Sequence, residues 1–166
     1  SWQNSARIQT NSWGNDNLAG QYSSDSRSAD SFIFDNPRFL VLFSAGDLGA
    51  DGSNTVTPPG SAKNVLTIGA STTGAAGSDP AGSVSAFSST GTTLDGRIKP
   101  DLVAPGDGVR SCLAQEAQDA DSGWSNNWYI EYSVTSMATP AAAGAAALVR
   151  EYLMEVANRP APQGAL

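Results

Sequence analysis

The feature that most constrains the fold is a continuous apolar run, Phe39-Leu40-Val41-Leu42-Phe43. The run is too short for a stable helix, and it lacks the alternation of a strand that has one face in water. It is typical of a parallel strand buried on both faces, as strands are in α/β proteins with helices on either side of the sheet. The chain is therefore predicted to have an α/β fold built on a parallel sheet.

Further strands are predicted wherever apolar residues alternate or form short runs between turn residues. The predicted strands are at 6–10, 64–70, 109–113 and 129–132, with one more inside the segment 95–106. Ligands gather at the carboxyl ends of the strands in open α/β sheets, so the turns that follow them are candidate binding edges. Two such turns are Asn11 to Gly14 and Ser44 to Gly49, although their glycines are also compatible with ordinary turn chemistry.

Two helices are predicted. The first covers roughly residues 25–34, with cap candidates at 23–25, and it ends at Asn36-Pro37 because the residue before a proline is pushed out of the α region. The second runs from Ser136 to about Ala157; its first half is nearly all alanine and can pack close to a sheet. The apolar stripe of its second half consists of Leu148, Val149, Tyr152, Leu153 and Val156.

Ser136 lies where the polar turn starting at Ser133 meets this second helix. Backbone N–H groups are unpaired at a helix start and the helix dipole is positive there, so negative charge developing beside a serine oxygen is stabilised. Ser136 is thus a candidate nucleophile. The alternative is helix capping, since Ser and Thr are preferred N-caps and proline, here Pro140, fits a first helical turn.

The composition of the 166 residues limits the chemistry, because the chain contains no histidine and carries a formal net charge of −7. Without imidazole it cannot build a Ser-His-Asp triad or a His-bearing metal site by itself. Its nine Lys and Arg are scattered, which argues against a nucleic-acid surface, and no apolar run predicts a membrane span. The single cysteine, Cys112, excludes an internal disulfide and is predicted to be a small packed residue. Residues 1–4 lack the features of a secretory signal.

The string Thr-Ser-Met-Ala-Thr-Pro at 135–140 resembles the nucleophile motif of the subtilisin-like serine proteases (subtilases, peptidase family S8), usually Gly-Thr-Ser-Met-Ala-x-Pro. Further segments resemble the same family in the same order along the chain. They are 7–14, 59–70, 84–89 and 95–106, the last containing Gly-Arg-Ile-Lys-Pro-Asp-Leu-Val-Ala-Pro-Gly. The strongest likeness is to the oxidatively stable alkaline subtilases of bacteria.

This resemblance implies a subtilisin-like three-layer α/β fold, a parallel sheet with helices on both faces, of which residues 1–166 form the C-terminal portion. The triad runs Asp, His, Ser along subtilase chains, so this partial catalytic domain is expected to lack the segment that bears the Asp and the His. Four consecutive parallel strands are expected near 6–11, 39–43, 65–69 and 101–104. Ser136 is implied as the nucleophile, and the implied substrate-binding residues are Ser12, Trp13, Gly14, Ser44, Ala45 and Gly46.

Two residues depart from the family pattern. Asp47 stands at the oxyanion position, where most subtilases have an Asn that donates to the oxyanion. An ionised carboxylate would repel that anion, whereas a protonated one could donate a hydrogen bond to it. Loss of one such donor raises the activation free energy by about 2.7–4 kcal/mol, a magnitude measured on subtilisin itself. Val134 replaces the motif's Gly, and a β-branched residue would be strained there if the turn required positive φ.

The resemblance also implies partners. The substrate is expected to be protein or peptide, with no nucleic acid or membrane partner, in a secreted or extracellular location. The first strand is expected to have an unpaired edge, to be covered by the missing N-terminal half or by a second copy of the chain. Structural calcium is a family-level expectation without assigned ligands, the candidates being Asp47, Asp51, Asp107, Asp119 and Asp121.

Two functions from different classes therefore remain open. One is a subtilisin-like serine endopeptidase in the complete protein, with this chain alone inactive. The other is a truncated or degenerate, non-catalytic protease-like domain that serves binding or has no role. An α/β-hydrolase esterase is disfavoured because no Gly-x-Ser-x-Gly motif surrounds Ser136.

Overall fold

The computed structural model describes residues 6–74, 79–113 and 129–156. The predicted order of strands and helices is confirmed within these ranges. The elements are β1 (Ile8–Asn11), α1 (Ser24–Asp35), β2 (Leu40–Ser44), β3 (Leu66–Thr72), β4 (Leu102–Asp107), β5 (Val109–Cys112), β6 (Tyr129–Tyr132) and α2 (Thr135–Glu151), with a π-helical turn at Tyr152–Val156.

β1 to β4 form a parallel sheet in the order β1-β2-β3-β4, so the α/β fold class is confirmed. The register pairs Ile8 with Leu40 and Ile68 with Leu102. β5 and β6 form a separate antiparallel pair. In the described part of the chain β1 is an edge strand, because it pairs with β2 on one side only.

The apolar run around β2 is buried on both faces, as its composition predicts. Leu40 and Leu42 point to one face, where they join a cluster with the alanines of α2. Phe39, Val41 and Phe43 point to the other face and join a cluster containing Ile33 of α1. One helix thus covers each face of the sheet, giving the predicted three layers.

α1 begins and ends at the predicted signals. The side-chain oxygen of Ser23 accepts a hydrogen bond from the Ser26 backbone N–H at 3.2 Å, satisfying an otherwise unpaired donor at the helix start. The helix ends at Asp35, and Asn36 is its C-cap before Pro37. Local sequence chemistry therefore suffices to define this helix.

α2 packs on the sheet through small side chains only. Its buried apolar residues are Ala138, Ala142, Ala143 and Ala146. A Cβ built on Gly106 of β4 would come within 2.9 Å of the Cβ atoms of both Ala138 and Ala70. The glycine therefore permits a close approach of helix and sheet that no larger residue would allow without movement.

The larger apolar residues at the end of α2 and just after it face outward: Leu148 is 67%, Val149 44% and Tyr152 57% exposed. The alanines of α2, which the sequence predicted to pack close to a sheet, make the contact instead. One expectation about burial is wrong, because Cys112 is exposed on β5 and is not a packed residue. No helix among the described residues is long and apolar enough to cross a membrane.

Candidate active site

The site lies where the carboxyl ends of β1 and β2 meet the N-terminus of α2. Ser12 follows β1 directly, and its hydroxyl donates to the Ser136 carbonyl at 3.0 Å. Gly46, just beyond β2, donates its backbone N–H to the Thr135 hydroxyl at 3.3 Å. The structure thus brings together three segments that the sequence singled out separately.

Ser136 is the second residue of α2 and is partly buried. Val134, the residue before the helix, is the N-cap, and its φ of −156° and ψ of 161° are extended backbone that a β-branched residue adopts readily. The strain expected from Val134 in place of glycine is therefore absent. The Val134 N–H donates to the Gly106 carbonyl at 3.0 Å, which ties the turn to the end of β4.

The Ser12 hydroxyl replaces a helical hydrogen-bond donor that Pro140 lacks. Proline has no N–H, so Pro140 inside α2 leaves the carbonyl of Ser136, four residues earlier, without its helical donor. The Ser12 hydroxyl supplies the missing hydrogen bond from 124 positions away. Pro140 lies in the second turn of the helix, so it does not have the first-turn position that the capping interpretation assigned to it.

Asp47 caps α2 from outside the helix. The N-cap residue, Val134, makes no side-chain capping bond, and instead Oδ1 of Asp47 accepts from the Thr135 N–H at 2.7 Å. A carboxylate is well placed at the positive end of a helix. The Asp47 side chain is exposed, and the residue that it caps, Thr135, directly precedes Ser136 in the chain. Asp47 therefore belongs to the site that contains the serine.

Thr135 makes two hydrogen bonds that join the turn after β2 to α2. It is fully buried, accepts from the Gly46 N–H through its hydroxyl and donates its own N–H to Asp47. The position of Ser136 relative to the turn after β2 is thus fixed by two hydrogen bonds through its neighbour in the chain. The sequence identified Thr135 only as part of the motif and gave no signal for this contact.

The implied substrate-binding residues form the two turns flanking the serine. Ser44 ends β2, Ala45 donates its N–H to the Ile68 carbonyl at 2.9 Å, and Gly46 has a φ of 102° that favours glycine. On the other side, Trp13 is 55% exposed and its ring meets that of Phe43 edge to face at 5.2 Å. Trp13 is thus both a packed aromatic and a surface residue of this edge.

Thr57 and Ser89 hold the turn after β2 and were not predicted as site residues. Thr57 donates its N–H to the Ala45 carbonyl at 2.9 Å, and Ser89 donates its N–H to the Gly46 carbonyl at 2.9 Å. The Ser89 hydroxyl also accepts from the Leu48 N–H at 3.1 Å. Both residues reach the turn from distant loops, so no local pattern could have revealed them.

The described residues contain no group of three or more His, Cys, Asp or Glu side chains that could hold a metal ion. Of the calcium candidates, Asp47 is engaged with α2, and Asp119 and Asp121 lie outside the described residues. What the described arrangement offers chemically is one serine at a helix start, backbone N–H groups, and one carboxyl group.

The family model described as "Subtilase family" matches residues 1–159. Serine protease AprX of Bacillus subtilis is 37% identical over 66% of this chain and 25% of its own length. The serine protease/ABC transporter B family protein tagD of Dictyostelium discoideum is 27% identical over 90% of this chain and 12% of its own length.

The solved structure of the patellamide maturation protease PatA has the same fold, with a TM-score of 0.69 at 24% identity over 97% of this chain and 50% of that one. The chain therefore spans about half the length of this structural neighbour, and a quarter or less of the length of the two relatives above.

Proposed function

This chain belongs to the subtilase family of serine proteases, and we propose that it forms the nucleophile-bearing part of a serine endopeptidase in which Ser136 attacks the scissile carbonyl. The observation that carries the proposal is the position of Ser136 in the first turn of α2, bordered by the ends of β1 and β2. A serine there lies at the positive end of the helix dipole and beside backbone that a substrate can contact.

Activation of the serine requires a base, and the 166 residues contain no histidine. In the proposed mechanism a histidine oriented by an aspartate, both outside this sequence, takes the Ser136 proton and later delivers it to the leaving amine. The oxyanion is held by the Ser136 backbone N–H at the helix start. Asp47 takes the second oxyanion position, where it acts as a donor only when its other carboxyl oxygen carries a proton.

The substrate is proposed to be a protein or peptide that binds in extended form beside Ser12, Trp13 and Gly14 as an added strand. The turn from Ser44 to Gly46 borders the opposite side of the scissile bond. Because substrates of this kind bind through backbone hydrogen bonds, binding along these turns is compatible with many sequences.

The proposal is tested by labelling with a fluorophosphonate probe, which reacts with activated serines. We compare the 166-residue chain with the protein expressed from the complete reading frame that contains it. Labelling of the complete protein, lost in Ser136→Ala and retained in Ser133→Ala, is the expected result. Absence of labelling in the complete protein would contradict the peptidase, and labelling of the short chain would contradict the external base.

The second candidate is a non-catalytic, protease-like binding domain. It is favoured by the carboxylate at Asp47 and by the lack of histidine. A complete protein that does not react with the probe but binds peptides through the turns at Ser12 and Gly46 would support this candidate instead.

The edge of β1 is proposed to be covered by the N-terminal half of the catalytic domain. Cavities of about 320 Å³ and 390 Å³ open beside β1, the first lined by Gln9, Trp13 and Phe32 and the second by Ile8 and Met154. Residues of α1 line the first cavity and residues of α2 line the second. Both faces of the sheet are therefore open beside β1. A second copy of the chain is the alternative occupant.

We further propose an extracellular location and a structural calcium ion, both on the basis of family membership. The location is tested by fractionating cultures that express the complete reading frame. Calcium is tested by comparing the melting temperature of the complete protein in calcium and in a chelator. An unchanged melting temperature would contradict a structural ion.

A further inference from the structure

The candidate nucleophile, Ser136, is held through the backbone on both sides of its own side chain. On the N-terminal side, the buried Thr135 accepts from the Gly46 N–H at 3.3 Å and donates its own N–H to Asp47 at 2.7 Å. On the C-terminal side, the Ser136 carbonyl accepts from the Ser12 hydroxyl at 3.0 Å. The Cα atom of Ser136 lies between these anchors, so both set the direction in which its side chain leaves the helix.

The Ser12 hydroxyl is attached to a fixed part of the sheet. The preceding residue, Asn11, is 9% exposed, and its side-chain nitrogen donates to the Leu42 carbonyl of β2 at 3.0 Å. Asn11 also pairs with Phe43 in the parallel register of β1 and β2. The end of β1 is therefore tied to β2 by the strand pairing and by a buried side chain. A water molecule that bonded to the same carbonyl would have no such fixed position.

The Ser136 carbonyl needs this donor because of Pro140. Any other residue at position 140 would donate its own N–H to the carbonyl four residues earlier, as in a regular helix. Helix carbonyls that face water tilt outward from the axis. Without the Ser12 hydroxyl, the peptide unit that follows Ser136 would be free to tilt in this way and to carry the serine side chain with it.

We propose that Ser12 is a positioning residue, whose hydroxyl fixes the place of the nucleophile relative to the bound substrate. This inference rests on the proposed function, in which the substrate strand lies beside the backbone of Ser12 to Gly14. One residue then contacts the substrate through its backbone and the Ser136 carbonyl through its side chain. The precision matters because a misplacement of about 1 Å can lower a rate by about 10²-fold.

Two substitutions and a double-mutant cycle isolate this role. Ser12→Ala removes the hydroxyl and keeps the backbone that contacts the substrate. Pro140→Ala returns a helical N–H to the Ser136 carbonyl and makes the Ser12 hydroxyl redundant. A role of the hydroxyl in substrate binding, or in the stability of β1 alone, would not depend on residue 140. Coupling between the two positions therefore reports on the carbonyl that they share.

Ser28→Ala is the matched control. The Ser28 hydroxyl of α1 donates to the Ser24 carbonyl at 3.0 Å, and this bond is exposed, as is the bond from Ser12 to Ser136. Both substitutions thus remove one exposed serine-to-carbonyl hydrogen bond of the same length, and only one of these bonds reaches the nucleophile.

The experiment measures kcat and KM of the protein from the complete reading frame with one peptide substrate. The extent of fluorophosphonate labelling gives the concentration of reactive enzyme, so loss of stability does not imitate a fall in kcat. Ser12→Ala is expected to lower kcat by about 10-fold, part of the roughly 10²-fold cost of a 1 Å misplacement, and to leave KM unchanged. In the Pro140→Ala background the same substitution is expected to leave kcat unchanged. Ser28→Ala is expected to change neither constant.

The outcomes distinguish failure of the positioning role from failure of the peptidase. With the wild-type protein labelled, an equal loss of kcat from Ser12→Ala in both backgrounds overturns the positioning role and leaves the peptidase intact. An unchanged kcat, an effect confined to KM, or an equal loss in Ser28→Ala overturns it as well. Absence of labelling in the wild-type protein overturns both the peptidase and the positioning role inferred from it.

Discussion

At the scale of single residues, the cap that Asp47 provides to α2 is the contact with the widest consequences. It joins residues 88 positions apart and supplies the capping bond that Val134 does not make. It also places a carboxyl group where an oxyanion donor is expected. An asparagine could accept the same Thr135 N–H through its oxygen and leave its amide nitrogen free to donate.

The first prediction follows from this difference. Asp47→Ala should lower the free energy of unfolding by about 0.5–2 kcal/mol, as loss of an N-cap does, whereas Asp47→Asn should change it little because Asn and Asp cap equally well. Urea denaturation of the complete protein measures both. Asp51→Ala, an exposed aspartate of the same loop, is the control for lost negative charge. Equal losses in Asp47→Ala and Asp51→Ala would argue against capping.

Asp47→Asn should also raise the activity of the complete protein. With an amide at position 47 the oxyanion gains a neutral donor, so kcat of Asp47→Asn in the complete protein should increase, by up to about 10²–10³-fold if the wild-type carboxylate makes no such bond. Steady-state kinetics with one peptide substrate measures the change. A fall in kcat would mean that the carboxyl group itself is required.

A third residue-scale prediction concerns the pH dependence of stability. Tyr22 donates to Oδ2 of Asp30 at 2.8 Å, and desolvation, followed by this bond and the carboxylate charge, raises the pKa of Tyr22 above 10.0. A pKa raised on folding gives stability that is complete below the unfolded pKa and is lost as pH rises through the folded one. Wild type should therefore lose more stability than Tyr22→Phe when the pH is raised from 8 to above about 10.

Tyr22→Phe keeps the ring beneath the Arg97 guanidinium, which lies 5.5 Å from its centroid, and so isolates the hydroxyl. At pH 8 the variant should be less stable by about 0.5–1.5 kcal/mol, the usual net value of a hydrogen bond. Parallel urea curves at both pH values test the difference. If the free energy of unfolding changed equally with pH in the two proteins, the proposed role of the Tyr22 hydroxyl would be contradicted.

At the scale of elements, the packing of α2 on the sheet depends on small residues at its contact face. Gly106→Ala would place a Cβ 2.9 Å from Ala70 and Ala138, so helix or sheet must move. We expect a loss of about 1–3 kcal/mol, as for other overpacked sites. Thermal or urea denaturation of the variant provides the value.

Gly144 supplies the matched control within the same helix. A Cβ built there meets no atom within 4 Å, and the residue is exposed. Gly144→Ala should therefore stabilise the isolated chain by about 0.5–1 kcal/mol through helix propensity alone. The same sign for both glycine substitutions would show that close packing at Gly106 is not what determines its effect.

At the scale of the whole molecule, the edge of β1, which has no partner strand among the described residues, and the exposed apolar residues at the end of α2 predict association of the isolated chain. Leu148 and Val149 of α2, and Tyr152 directly after it, have 67%, 44% and 57% of their surface exposed. Exposed apolar patches beside a free strand edge favour contact with another chain. In sedimentation velocity, the sedimentation coefficient of the isolated chain should increase with protein concentration.

Leu148→Glu should shift this distribution toward monomer, whereas Ile98→Glu, at an exposed apolar residue between β3 and β4, should not. A single monomeric species of wild type at all concentrations would contradict the prediction. In the complete protein the stripe should be protected from solvent, which hydrogen exchange of α2 can compare between the two proteins.

The sequence alone determined the fold class, the order of the elements and the place of Ser136 at a helix start. These depend on local patterns: an apolar run for β2, a serine cap and a proline stop for α1, and a polar turn before an alanine-rich helix for α2. The lack of histidine was equally visible and limits what these residues can do without another segment.

Only the tertiary structure decided which residues surround that serine. Asp47 caps the helix, Ser12 replaces the donor that Pro140 lacks, and Thr57 holds the turn after β2. The tertiary structure also decided that the alanines of α2, and not its larger apolar residues, contact the sheet. The physical reason is that these contacts join segments up to 124 positions apart, whereas periodicity and propensity describe only a residue and its neighbours along the chain.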